Sequence, residues 1–385
     1  MTSGFCRARW LFSLFALAAV TGYFGAVWAG GYGLRLELGW KTSQYFFNYQ
    51  DLGFVKRALI GTILHPFPAL QRVGWLFTIA GLLVAGFAAL FAQALSDAVS
   101  DMPSRHRWML IAICVSSPAL FQRYGFDIGR FDVLGLAATL LSFTALDRGR
   151  LLLAAAISAV ALLSHEAYVI ITLPLLLAYC VRRPEFSLRR AVIFLSLPTV
   201  VFAALILHGT YEHGIDRLTA YFAASPTYMA ARNGQVDVDA ISVLTRNLRE
   251  NFEYAQKMFF EKRAYIHIPI IMLWGAIMTW FFVLFYRLNG LRRDVLFYAS
   301  FSPLLLSTIA CDYYRWVSLA ATNALFVILI HCRERRANGT VAVIPTGAAA
   351  WLLLATALLG PISNTKSFPI FFVAIERVFH VQLVW

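Results

Sequence analysis

The sequence predicts an all-α polytopic membrane helix bundle with about eleven transmembrane helices, and three observations carry that prediction. Hydrophobic residues fill 60% of the 385 positions and charged residues only 14%, whereas a soluble domain is about 45–50% apolar and about 25% charged. Apolar runs recur along the whole chain with short polar breaks. Ten Trp, 16 Tyr and 32 Phe suit a chain that meets two membrane interfaces, where aromatic rings collect. This composition excludes a soluble enzyme, a disordered chain and a fibrous protein. Because the apolar runs never stop for long, residues 1–385 read as one integral membrane domain.

A helix needs about 20 apolar residues to cross a bilayer. Candidate spans fall near 11–29, 73–95, 108–122, 132–146, 151–164, 167–181, 191–208, 267–286, 295–311, 316–332 and 341–360. The short ones near 108–122 and 151–181 must extend into flanking polar residues or meet at a partly buried apex. The first span follows Arg7 and Arg9 and ends in Val27-Trp28-Ala29, which resembles a signal-peptide cleavage site. Its apolar run is longer than a usual signal-peptide core, which favours an uncleaved helix.

The net charge is +13. In a soluble protein that would suggest nucleic acid. Here an excess of arginine in short cytoplasmic loops is the simpler cause, and no nucleic-acid partner is expected. With the N-terminus in the cytoplasm, the short inner stretches hold sixteen basic and six acidic residues. The other side holds seventeen and fourteen, mostly in two long loops, and long loops weigh little in setting orientation. The expected topology therefore ends with the C-terminus outside, periplasmic or extracellular. Compact length and Arg-rich loops favour a bacterial inner membrane. Cys6, Cys114, Cys180, Cys311 and Cys332 form no CxxC pair, so neither a disulfide framework nor a zinc site is expected.

The unusual polar residues fall on the expected outer side. The first long loop, about 30–72, contains Asp51, Lys56 and Arg57 in an aromatic and apolar stretch. That pattern suits a helix lying in the interface, with its charges on water or on a cavity. An ordinary interfacial helix with snorkelling cations reads the same way. The turn at 123–132 crowds Arg123, Asp127, Arg130 and Asp132 together. Spare arginines there can clamp a phosphate, or the four can simply fix the turn. His165-Glu166 interrupts an otherwise apolar stretch and must line a cavity, pair, or sit at the interface. Residue 169 is Val, so the HExxH metal spacing is absent. Asp312 and Arg315 stand three apart and share a helix face, as an ion pair or as part of a site. The second long loop, about 209–266, is rich in Tyr, Arg and Lys. Its 240–262 part reads as an amphipathic helix with Ile241, Leu244, Leu248, Phe252 and Phe259 on the apolar side. Four clusters on one side predict one outward-facing site drawn from several segments.

This layout, with Asp51 in Tyr-Gln-Asp-Leu-Gly soon after the first span, resembles the GT-C membrane glycosyltransferases. Members of that superfamily have many spans and a long first outer loop carrying a functional Asp. The resemblance implies transfer of a sugar from a polyprenyl-phosphate donor to a glycan or lipid acceptor on the extracytoplasmic side. It makes Asp51 the candidate catalytic base. Such transfer needs a base for the acceptor proton and cations for the departing phosphate. Lys56, Arg57, Arg123, Arg130 and Arg315 suit the phosphate. Asp127, Asp132, His165, Glu166 and Asp312 suit sugar hydroxyls or orientation of the base, and oxygen ligands of this kind leave a divalent cation, Mg or Mn, open. A polymerase or ligase acting on lipid-linked oligosaccharides would share the cationic site. A secondary transporter is the alternative from another class, although its charges usually lie near the midplane and its halves often repeat.

Overall fold

The computed structural model describes residues 2–29, 38–183, 185, 187–261 and 268–359. Among them every regular element is helical. Five helices are long and apolar enough to cross a membrane: Cys6–Val27 within Thr2–Ala29, then Val73–Val99, Leu188–His208, Ile268–Leu288 and Tyr313–Ala337. Leu151–Ser164 and Thr346–Leu359 are apolar but shorter. The architecture is compatible with a multi-pass membrane protein.

Three of the eleven expected spans are not single helices, and a proline lies near each break. A residue before proline is pushed out of the helical region. Ser117, before Pro118, has ψ 121°, so the 108–122 span becomes Ser104–Ser116 and Phe121–Phe126. The 167–181 span breaks at Thr172, and Leu173–Val181 starts with Pro174 in its first turn. The 295–311 span divides into Val295–Ala299 and a 3-10 helix, Ser302–Thr308, that opens on Pro303. The last expected span, 341–360, is represented by Thr346–Leu359, and its final residue lies outside the described residues.

Helix Tyr313–Ala337 forms the centre, with residues 314 to 332 buried without interruption. A helix apolar on all sides belongs inside a bundle. Its polar residues are paired locally or across the bundle: Ser318 donates to the Tyr314 carbonyl, Thr322 to the Ser318 carbonyl, and Asn323 to the Ile171 carbonyl at 2.6 Å. Helices Val73–Val99 and Ile268–Leu288 pack against it. The first of these buries Leu76, Ala80, Val84, Phe87, Phe91 and Leu95, at the three- and four-residue spacing of one helix face.

The two long loops meet in a second, smaller core. Tyr45, Phe47 and Val55 from the first pack with Leu218, Phe222 and Ile241 from the second. The expected single amphipathic helix at 240–262 is instead Val238–Ser242 followed by Leu248–Glu261. A capping box makes the restart: Asn247 Oδ1 accepts from the Glu250 N–H, and Glu250 Oε2 accepts from the Asn247 N–H. Ile241 and Leu244 are buried as expected, but Phe252 is exposed. The Leu248 side chain, and residues 30–37 and 262–266 of the two loops, lie outside the description.

Two glycines fix the approach to the 123–132 turn. A Cβ on Gly125 would fall 1.7 Å from the Ala19 carbonyl oxygen, and one on Gly22 would fall 1.9 Å from that of Gln122. Helix Phe121–Phe126 can therefore lie directly on helix Thr2–Ala29. That contact sets where the following Asp127 and Arg130 begin.

Candidate functional site: a buried ion-pair network and Asp51

Helix Asp132–Asp147 begins where the central helix Tyr313–Ala337 begins, and their first turns are joined by charge. Arg315 donates from Nε to Asp132 Oδ2 at 2.8 Å and from Nη2 to Asp132 Oδ1 at 2.5 Å. Its Nη1 reaches Asp312 Oδ2 at 3.1 Å. The planar guanidinium suits this two-pronged grip. Arg315 Nη2 also lies 2.7 Å from His165 Nε2. The Ala167 N–H reaches His165 Nδ1 at 3.2 Å; arginine and a backbone N–H can only donate, and a neutral imidazole accepts from one of them according to its tautomer.

The next residue carries the network to the first long loop. Glu166 accepts from Arg57 Nε at 2.9 and 3.0 Å and from Arg57 Nη2 at 2.5 Å. Arg57 has φ 63°, a left-handed conformation uncommon outside glycine. The fork onto Glu166 holds it there. On the other side of the turn, Asp127 pairs with Arg130 and, at 2.6 Å, with Lys41. Arg130 stacks on Trp40, with its guanidinium carbon 4.8 Å from the ring centre. Its Nη2 is buried without a hydrogen bond. Arg123 is wholly buried and donates to the Tyr314 carbonyl at 3.5 Å.

Burial alone raises the Asp127 carboxyl, but Arg130, Lys41 and Arg123 more than reverse it and hold it below the usual carboxylate range. Glu166 is lowered in the same way, against burial, chiefly by Arg57. His165 is pushed down to about 3 by burial and then by Arg57, while Glu166 pulls the other way. The network thus has ionised acids and a neutral histidine. Among the described residues it holds five cations (Lys41, Arg57, Arg123, Arg130 and Arg315) and four carboxylates (Asp127, Asp132, Glu166 and Asp312).

Two expected site residues stand differently. Among the described residues Lys56 is in no ion pair: its ammonium donates to the Arg246 carbonyl at 2.7 Å and ties the two long loops together. Asp51 has its own partners. Its Oδ2 accepts from Tyr221 at 2.5 Å and from Asn48 Nδ2 at 3.1 Å, with His65 Nδ1 at 3.6 Å. Its backbone N–H donates to Asn48 Oδ1, so Asn48 caps helix Tyr49–Leu52. Burial opposes the shift, but Tyr221, Asn48 and His65 lower the Asp51 pKa. Oδ2 is crowded, while among the described residues Oδ1 has no hydrogen bond, and Asp51 is exposed.

The expected meeting of four segments is thus present as contacts: Arg315 joins the turns at 123–132 and 165–166 to its own, and Arg57 and Lys41 bring in the first long loop. Asp51 contacts Tyr221, Asn48 and His65 and is not a member of that chain of contacts. Sequence reading missed Lys41, Asn48 and His65, and gave Tyr221 no role. A signal for Lys41 was present in the polar run Lys-Thr-Ser-Gln after Trp40. Among the described residues no three His, Cys, Asp or Glu side chains gather closely enough to hold a metal ion. The carboxylates are committed to cations instead. Two cavities, of about 580 and 270 Å³, lie at the opposite end of the bundle, beside Arg333 and Arg183 respectively.

No family model, no curated protein and no solved structure matches the chain.

Proposed function

We propose that the chain is a GT-C-like membrane glycosyltransferase that moves a sugar from a polyprenyl-phosphate donor to a hydroxyl of a glycan or lipid acceptor. In this reading it crosses a bacterial inner membrane about eleven times, with the shorter helices counted. Its N-terminus is cytoplasmic, its C-terminus is outside, and the helices of its two long loops lie at the outer interface over the network.

The observation that carries the reading is the surplus of cations over carboxylates in the buried network among the described residues, together with the Arg130 Nη2 that has no hydrogen bond among them. A buried surplus of positive charge needs an anion, and a phosphate offers several acceptor oxygens to guanidinium groups. Asp51 stands six residues before Arg57 in the same loop. Tyr221 and Asn48 hold its Oδ2 and leave Oδ1 for the acceptor hydroxyl. The hydroxyl gives its proton to Oδ1, and its oxygen bonds to the anomeric carbon. The bond from that carbon to the phosphate oxygen breaks, and the electron pair leaves on polyprenyl phosphate. The network stabilises the departing charge.

A secondary transporter is the second reading. The helix breaks before Pro118 and at Thr172 favour it, because transporters build sites at discontinuous helices.

The test is incorporation of label from a panel of polyprenyl-phosphate sugars by purified protein, with Asp51→Asn in parallel. Transfer by the wild type that disappears in the folded variant supports the enzyme and its base. Transfer that survives rejects Asp51 as the base. No transfer from any donor moves the reading to polymerisation or transport, which vesicle flux without covalent product would identify.

A further inference from the structure

At the end of the bundle away from the network, three stretches of chain meet around the cavity of about 270 Å³. Asp147 and Gly149 come from the turn after helix Asp132–Asp147, and Leu151 opens helix Leu151–Ser164. Arg183 follows helix Leu173–Val181, and Arg190 stands in the first turn of helix Leu188–His208. One wall is fixed. Asp147 accepts from Arg183, from the Tyr179 hydroxyl and, at 2.8 Å, from Arg333 Nη2. Arg183 Nη1 donates to the Leu146 carbonyl at 2.7 Å, and its guanidinium lies over the Tyr179 ring. The other wall is uncommitted. Arg190 reaches only a backbone carbonyl, that of Glu185, at 3.0 Å. Among the described residues Arg148, Arg150, Arg189 and Arg190 are in no ion pair, in contrast to Arg182 and Arg183.

The charge balance at this cavity favours an anion. Asp147 is already matched by Arg183 and Arg333, so in these stretches Glu185 alone stands against the four unpaired arginines. The larger cavity at the same end differs, because Arg333 and Arg336, which line it, each have a carboxylate, Asp147 and Asp101. Around the smaller cavity the same helices carry apolar side chains on the outside. Leu152 is 71% exposed and Leu188 77%, and Val181 and Val192 are exposed too. A ligand that presents an anion to the cavity and a hydrocarbon chain to those residues is a lipid. We propose that the cavity walled by Arg183 and Arg190 binds the phosphate of an anionic phospholipid, whose chains lie on Leu152, Leu188 and Val192. A guanidinium keeps its charge and offers several donors to phosphate oxygens, and basic pockets between membrane helices suit anionic headgroups. A zwitterionic lipid fits less well, because it brings an ammonium to a place with surplus positive charge. The inference needs the chain to lie in a membrane, but it does not rest on the transferase reading and uses none of its residues.

Native mass spectrometry tests it, on the purified full chain delipidated in detergent and titrated with phosphatidylglycerol or with phosphatidylcholine of the same chains. The wild type is expected to bind one phosphatidylglycerol more tightly than those that follow, and more tightly than phosphatidylcholine. Arg190→Gln is expected to bind that first lipid roughly fivefold more weakly, the worth of one arginine beside an anionic headgroup. Arg292 is the control: it is exposed and does not line the cavity, and it follows Asn289, which is tied to this same end by Arg335. Arg292→Gln is expected to leave the first binding step unchanged. Equal binding of the two lipids by the wild type overturns the proposal without recourse to any variant. Equal loss in Arg190→Gln and Arg292→Gln also overturns it, because the attraction would then be spread over the surface. Displacement of the lipid by an equal concentration of inorganic phosphate overturns the lipid as the ligand, because the chains would then contribute nothing.

Discussion

The two ends of the bundle use the same chemistry under different conditions. At one end Arg315 and Asp132 have side chains 6% and 0% exposed. At the other, Arg336 and Asp101 are 45% and 61% exposed. Both ends are held by arginine–aspartate pairs on helices Asp132–Asp147 and Tyr313–Ala337 or their neighbours. Removing two charges from water costs several kcal/mol per ion before any attraction is gained, so a buried pair is a poor device for stability alone. An exposed pair costs little and contributes little. The exposed pair therefore reads as an ordinary loop clamp. The buried end has, among the described residues, a surplus of cations, a left-handed Arg57 and an orphaned Arg130 nitrogen, and it is this arrangement on which the proposed donor-phosphate site rests.

The sharpest way to break this contrast is to remove one partner at each end. Asp132→Ala leaves Arg315 buried with only Asp312 to compensate it, and is expected to cost about 3–5 kcal/mol, read from unfolding in detergent. Pairing it with Arg315→Met should recover part of that loss. A cost as small as that of an exposed pair would mean that water reaches the network and the contrast is false.

Acidification is the next probe. An unfolded chain takes up a proton at His165 near its ordinary value of 6.5, whereas the folded chain does so only at about 3. Between these values the unfolded state binds more protons, so stability falls as pH falls. Asp127 and Glu166, lowered in the fold, add a decline of the same sign below the ordinary carboxylate range. In His165→Gln the part of the decline that begins near 6.5 should vanish, while the carboxylate part remains. Stability that is flat from neutral pH down to the carboxylate range in the wild type would show that His165 is not held neutral.

Tyr221 and Asp51 form an intermediate case, partly exposed and joining the two long loops. Tyr221→Phe should cost about 0.5–1.5 kcal/mol, the worth of an ordinary hydrogen bond. It should also loosen the loops, read as faster proteolysis between residues 209 and 261. The smallest effect belongs to the exposed end: Arg336→Ala should change stability by about 0–1 kcal/mol and respond to salt. A loss equal to that of Asp132→Ala would make the two ends equivalent.

Much of the fold was legible because lipid leaves the backbone few choices. Long apolar runs such as 73–95 and 267–286 can only be helices there, and the helices found agree with them to within a few residues. Pro118, Pro174 and Pro303 stand near the breaks, but Pro198 lies inside the unbroken helix Leu188–His208, so proline alone did not mark them. The start at Asn247 was written as Asn-Leu-Arg-Glu, a capping box inside an amphipathic pattern. For the site, the sequence marked nearly every charged member of the network, since charges are conspicuous in an apolar chain. It did not mark Lys41, because one lysine in a long loop has no periodic signature.

By itself the sequence determined the helical class, the apolar surfaces and which polar residues are out of place, because these follow from composition and from the period of the helix. Only the tertiary structure decided who pairs with whom. Arg57 meets Glu166 and Arg315 meets Asp132 across more than a hundred residues of chain. Ion pairing and hydrogen bonding act over a few ångströms, and no spacing along the chain encodes that distance. The same limit explains Asp51, which the sequence placed among the network residues. The fold instead gave it Asn48, His65 and Tyr221 as neighbours.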